Sequence, residues 1–123
     1  MSDKTKNIIS WVLAGLVSFI FLGSAIGKFT ADEEALKMAS TFGLDAKANF
    51  SLGVIEIACL ILFVIPRTGI LGTLLLASYM GGAIATHLEH GLPVTAPCVI
   101  QVILWIGAFV RFPELSKRIL GKS

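Results

Sequence analysis

Residues 50–72, FSLGVIEIACLILFVIPRTGILG, join two long apolar segments through a short turn. The first segment, residues 50–66, carries a single charge, Glu56. Because the turn Pro66-Arg67-Thr68-Gly69 is tight, the segments on either side of it are expected to be antiparallel neighbours. A helix of about 20 mostly apolar residues can cross a bilayer, and each segment is near that length. This stretch therefore predicts a pair of transmembrane helices.

The rest of the chain repeats this pattern. The second segment of this pair is uncharged over residues 68–86, and two further uncharged segments cover residues 8–27 and 91–110. The 123 residues are 55% hydrophobic and 15% charged, whereas a soluble domain has about 25% charged residues. We therefore predict an all-α fold: a four-helix transmembrane bundle forming one domain over residues 1–123. The expected spans are about 8–29, 50–66, 69–88 and 95–112.

The first connection, residues 30–49, contains a further helical pattern. Thr30 to Glu33 have the spacing of a capping box, and acidic residues occupy the first turn. Apolar residues then recur on one face, and Gly43 follows them. The members of this face are Ala35, Met38, Ala39 and Phe42. We predict a short amphipathic helix over residues 31–42 on the outer surface, with a disordered loop as the alternative.

The connection between the third and fourth spans has clear boundary residues. Gly91 is suited to a helix C-terminus, and Pro93 prevents the helix from continuing. Thr95 is the expected N-cap of the next helix, with Pro97 in its first turn.

Basic residues predict the orientation of the chain. Four spans place both termini on one side, and the side richer in Lys and Arg is normally cytoplasmic. The terminal side holds Lys4, Lys6, Arg67, Arg111, Lys117, Arg118 and Lys122, and the other side holds Lys28, Lys37 and Lys47. Both termini are therefore expected in the cytoplasm. No basic cluster with interleaved aromatic residues is present in the sequence, so nucleic acid is not an expected partner.

Polar residues inside the spans indicate a site, because such residues are costly in a bilayer and usually face the bundle interior. Lys28, Glu56, His87 and Gln101 fall at similar depth in the outer half of four different spans. Tyr79 lies deeper, and Trp105 shares a helical stripe with Gln101. We predict an outward-facing polar pocket with an apolar, aromatic floor, in which Glu56 pairs with Lys28 or His87. The alternative is a structural polar network that fixes helix register and binds nothing.

Two other chemistries are less well supported. His87 and His90 are three residues apart on one helical face, but zinc sites normally use three or four protein ligands, and no metal site is predicted. Cys59 and Cys98 are single cysteines in separate spans and form no Cys-x-x-Cys pair, which argues against a dithiol redox site.

Four segments together resemble the DoxX-like branch of the DoxX membrane proteins. They are GSAIGKF at 23–29, MASTFGLD at 38–45, LGVIEIACLILFVIPRTGILG at 52–72 and MGGAIATHLEHG at 80–91. The resemblance implies a four-helix integral protein of the bacterial inner membrane. It also implies an association with oxidoreductases that deliver electrons to quinone, or with enzymes of thiol-oxidant defence. The polar motif residues of the family fall on Lys28, Glu56 and His87.

Two main functions remain open at this stage, and transport is a third option that is less supported because four short spans make a small pathway. The pocket is expected to bind a small lipid-soluble molecule, with quinone as the candidate cofactor, as part of or beside an oxidoreductase system. Phe63, Tyr79 and Trp105 would contact its apolar part. Alternatively, the protein is a non-catalytic scaffold that assembles a partner. Expected partners are the lipid bilayer, a redox or other membrane protein, and further copies of the chain. Whether the chain catalyses a reaction is left open.

Overall fold

The computed structural model describes residues 2–30 and 33–121, and Ala35 through its backbone alone. These residues are helical between short turns and contain no strand, which confirms the predicted all-α class. The helices are α1 Asp3–Thr30, α2 Glu33–Thr41, α3 Ala46–Val64, α4 Gly69–Glu89, α5 Thr95–Arg111 and α6 Pro113–Ile119. A 3₁₀ turn, Pro66–Thr68, joins α3 to α4.

The four long helices α1, α3, α4 and α5 surround a shared interior. α1 packs against α3 and α5, and α4 packs against the same two helices. The apolar residues at the centre of this packing are Ala14, Val17, Phe21, Cys59, Leu60, Phe63, Leu76, Met80 and Leu104. Large apolar side chains also cover the outside, where Phe19 is 77% exposed. An outer surface of this kind is suited to lipid.

α5 differs from the other long helices because it is too short to meet the same criterion for a membrane span by itself. Within the described ranges, α1, α3 and α4 are each long and apolar enough to cross a membrane. α5 reaches that standard only together with α6, from which it is bent by 111°. The bend was not predicted. It follows from Pro113, because proline disfavours helical backbone in the preceding residue, and Phe112 has φ −122° and ψ 86°.

The turns between the helices agree with the sequence except at one cap. The tight turn over residues 66–69 is confirmed, and α3 packs directly on α4. Gly91 has φ 68°, and the amides of Gly91 and Leu92 donate to the carbonyls of Leu88 and His87, which forms a Schellman motif. The prediction that Thr95 is an N-cap was wrong. Thr95 is the first residue of α5, and no side chain caps that helix.

The predicted amphipathic helix corresponds to α2. Its predicted capping box includes residues 31 and 32, which lie outside the described residues. Gly43 has φ 74° and follows the end of the helix, as expected. The predicted apolar face is only partly covered, because Ala39 is buried whereas Met38 is 67% exposed.

Candidate functional site

An ion pair lies inside the bundle near the end where α1 finishes and α3 begins. The Lys28 Nζ atom is 3.3 Å from Glu56 Oε1 and donates a 2.7 Å hydrogen bond to Ser24 Oγ. Of the two predicted partners of Glu56, the residue that pairs with it is therefore Lys28. The exposures of the two side chains differ, with 2% for Glu56 and 20% for Lys28. The carboxylate is thus more deeply buried than the ammonium group.

This pair borders a cavity of about 770 Å³, which lies within the range of sites for small organic ligands. α1, α3, α4 and α5 all contribute to its walls, together with α2 and the segment that follows it. Most of the lining is apolar. The polar side chains that line it are Ser24, Lys28, Asn49, Glu56, Ser78, Tyr79, Thr86 and His87. The cavity therefore combines a large apolar volume with a compact polar region.

The aromatic ring of Phe42 lies close to the two histidines at the end of α4. Its centroid lies 4.7 Å from that of His87 and 6.2 Å from that of His90. The Nδ1 atoms of His87 and His90 lie 2.6 and 2.9 Å from the carbonyl oxygens of Ala83 and Thr86. Each histidine is therefore anchored to its own helix and presents its ring to Phe42. This arrangement ties the segment after α2 to the rim of the cavity.

The polar region can offer hydrogen bonds to a molecule in the cavity. The Lys28 ammonium has three N–H groups, and its bonds to Ser24 and Glu56 use two of them. Tyr79 lies beside it, with the ammonium nitrogen 5.9 Å from the ring centroid. In the described part of the chain, no side chain or backbone group hydrogen-bonds the Tyr79 hydroxyl. One ammonium donor and one phenol are thus available next to apolar walls.

Gln101 and Trp105 do not line this cavity. Both line a smaller groove of about 260 Å³ on α5, with Val102, Ile106 and Phe109. The Gln101 side chain donates a 3.2 Å hydrogen bond to the Ala77 carbonyl, and its Oε1 is buried without a partner among the described residues. The buried side of α5 includes Leu104 and Ala108, and at 3.6 residues per turn the two predicted residues fall on its flank.

Phe63, the third aromatic residue expected near a ligand, lies in the opposite half of the bundle. It is fully buried beneath Arg111, whose guanidinium carbon is 5.0 Å from the ring centroid. Arg111 also donates 2.6 Å hydrogen bonds to the Phe63 and Val64 carbonyls. Those carbonyls belong to the last turn of α3, where a positive charge is favourable. The sequence identified Arg111 only as a marker of orientation.

Ser24, Asn49 and Phe42 are among the cavity residues that the sequence did not identify as site residues. Ser24 lies one helical turn before Lys28, so its contact with the lysine is predictable from i, i+4 spacing. Asn49 is 6% exposed, and a buried amide in an apolar helix is a detectable signal. Phe42 was assigned to the surface helix, and its position over His87 depends on tertiary packing.

Metal ligation has no cluster to support it in the structure. Within residues 2–30 and 33–121, no three His, Cys, Asp or Glu side chains lie together in a group that could hold an ion.

Comparison with known proteins identifies a family. No curated protein and no solved structure matches the chain. The DoxX-like family matches residues 12–110, a range that includes α2, α3, α4 and nearly all of α5. The same range contains the ion pair and all the residues that line the cavity. Together with the apolar helices, this match indicates a multi-pass membrane protein. The chain belongs to the DoxX-like family.

Proposed function

We propose that this protein is a four-helix transmembrane bundle that binds a small, lipid-soluble, quinone-like molecule in the cavity beside Lys28 and Glu56. It would act as part of, or beside, an oxidoreductase system in the bacterial inner membrane. Both termini would be cytoplasmic, so the cavity would lie towards the outer face. The observation that carries the proposal is the cavity of about 770 Å³ that reaches the ion pair.

The chemistry of the cavity favours a neutral ligand with hydrogen-bond acceptors. Lys28 and Glu56 neutralise each other, so the site has no net charge with which to attract an ion. The remaining ammonium N–H and the Tyr79 hydroxyl can both donate to a carbonyl oxygen. The surrounding apolar walls favour a hydrophobic body. A quinone has both properties, since its carbonyl oxygens accept hydrogen bonds and its ring and tail are apolar.

Ligand binding can be tested on the purified protein in lipid nanodiscs, with decylubiquinone as the probe. Equilibrium dialysis would give the affinity, and circular dichroism would give the melting temperature with and without the probe. We expect Tyr79→Phe to weaken binding and Trp105→Phe to leave it unchanged, because only Tyr79 lines the cavity. No binding of decylubiquinone to the wild-type protein would contradict the quinone proposal.

A second candidate is a scaffold that assembles a membrane-protein partner, with a purely structural ion pair. One observation favours it: Ser24 and Glu56 both accept hydrogen bonds from Lys28, so the ion pair has partners within the chain without any ligand. The variant Glu56→Gln separates the two functions. If this variant folds normally but decylubiquinone no longer raises its melting temperature, the binding function is supported. If this variant unfolds and decylubiquinone does not raise the melting temperature of the wild-type protein, the scaffold function is supported.

A further inference from the structure

The glycines of the long helices differ in what an added side chain would meet. A Cβ atom on Gly72 would lie 2.2 Å from the Phe63 backbone nitrogen, so this glycine permits close packing of α3 on α4. A Cβ atom on Gly23, Gly27 or Gly82 would meet no atom of the described residues within 4 Å. Those three glycines therefore do not serve helix packing.

All three of these glycines line the cavity beside the ion pair. Gly23 and Gly27 lie one turn apart on α1, and Gly82 lies on α4. Among the described residues, α1 and α4 pack mainly on α3 and α5 rather than on each other. Glycine is less favourable than alanine or leucine inside a helix. What the missing side chains provide here is space between α1 and α4.

We propose that Gly23, Gly27 and Gly82 set the width of the cavity and select a ring-bearing ligand over a single acyl chain. This inference rests on the proposed function and specifies the ligand class of the same site. The ring lies between the glycines of α1 and Gly82 of α4. An acceptor oxygen on the ring then reaches the Lys28 ammonium, because Lys28 directly follows Gly27 and also lines the cavity.

The selectivity follows from shape. A single saturated chain is narrow and needs little of the width of the cavity. A ring needs a wider space, and a leucine side chain at Gly27 or Gly82 would occupy that space. Narrowing the cavity should therefore exclude a ring more strongly than a chain.

The chain offers matched controls for this test. Gly81 and Gly15 also have open space where a Cβ would lie, but neither lines the cavity. Gly82→Leu is compared with Gly81→Leu, and Gly27→Leu with Gly15→Leu. Leucine has a higher helix propensity than glycine, so all four variants should keep their helices. Circular dichroism melting checks this. The second pair keeps the test valid if one variant of the first pair fails to fold.

Binding is measured in nanodiscs with decylubiquinone as the ring probe and 1-dodecanol as the chain probe. We expect Gly82→Leu and Gly27→Leu to weaken decylubiquinone binding by about tenfold or more, whereas the two controls change it by less than about twofold. Dodecanol binding should change little in every variant. Equal losses in cavity and control variants would overturn the inference and leave the proposed function intact. Equal losses for both probes would overturn the ring selectivity. If the wild-type protein binds neither probe, the proposed function fails, and this inference fails with it.

Discussion

Substitution of Lys28 by Met leaves the Glu56 carboxylate without its ionic partner. The Glu56 side chain is 2% exposed, so bulk water can replace little of the lost interaction. Removal of one partner from a buried ion pair typically destabilises a protein by about 3–5 kcal/mol. Lys28 is 20% exposed and contacts the Ser24 hydroxyl, so the converse variant Glu56→Gln leaves its ammonium better solvated. We therefore expect Lys28→Met to be the more destabilising of the two, by about 1–2 kcal/mol.

The free energies of unfolding can be measured by SDS titration in mixed lipid–detergent micelles, with tryptophan fluorescence as the signal. Trp11 and Trp105 report unfolding without added labels. Neither lines the cavity, so the substitutions at Lys28 and Glu56 should not alter their fluorescence directly. The double variant Lys28→Met/Glu56→Leu serves as the control. It should recover most of the loss, because apolar replacement of a buried pair is often neutral. Equal stabilities for the two single variants, or a Lys28→Met loss below about 1 kcal/mol, would refute the reasoning from burial.

Further predictions concern packing and helix ends. Gly72→Ala should destabilise the protein by about 1–3 kcal/mol, because its Cβ would overlap the Phe63 backbone. Gly81→Ala has open space for its Cβ and should stabilise the protein by up to about 1 kcal/mol in the same SDS titration. Arg111→Met should cost about 1.5–3 kcal/mol through loss of hydrogen bonds to the last turn of α3, and a melting temperature equal to that of the wild type would contradict this. Gly91→Ala should lower stability by about 1–2 kcal/mol, since its φ of 68° is left-handed, and an unchanged melting temperature would exclude that strain.

Several elements of the fold could be predicted from local sequence. The uncharged segments predicted helices, because an apolar helix satisfies its backbone hydrogen bonds internally. The turn at residues 66–69 and the end of α4 at Gly91 followed from proline and glycine, whose backbone preferences act over one or two residues. The 111° bend before α6 was missed, although Pro113 provides a local signal for it.

The candidate site was predictable in part. Depth along each helix, which depends only on residue number and the rise of 1.5 Å per residue, led to the prediction that Lys28, Glu56 and His87 share one level. In the structure these three residues line one cavity. Pairing also depends on how each helix is rotated about its axis. Gln101 has similar depth, but α5 is rotated so that Gln101 and Trp105 line a separate groove.

Packing among the helices therefore determines which polar residues meet. Hydrophobicity, charge and turn residues act within one segment, and from them the chain specifies its all-α class and the approximate positions of its helices. The Lys28–Glu56 pair, the ring of Phe42 over His87 and the cavity between α1 and α4 each join residues from different segments. Their formation depends on the relative rotation of several helices. Gly53 and Gly72 lack a Cβ atom, and this sets how closely those helices approach. No single segment encodes that combination.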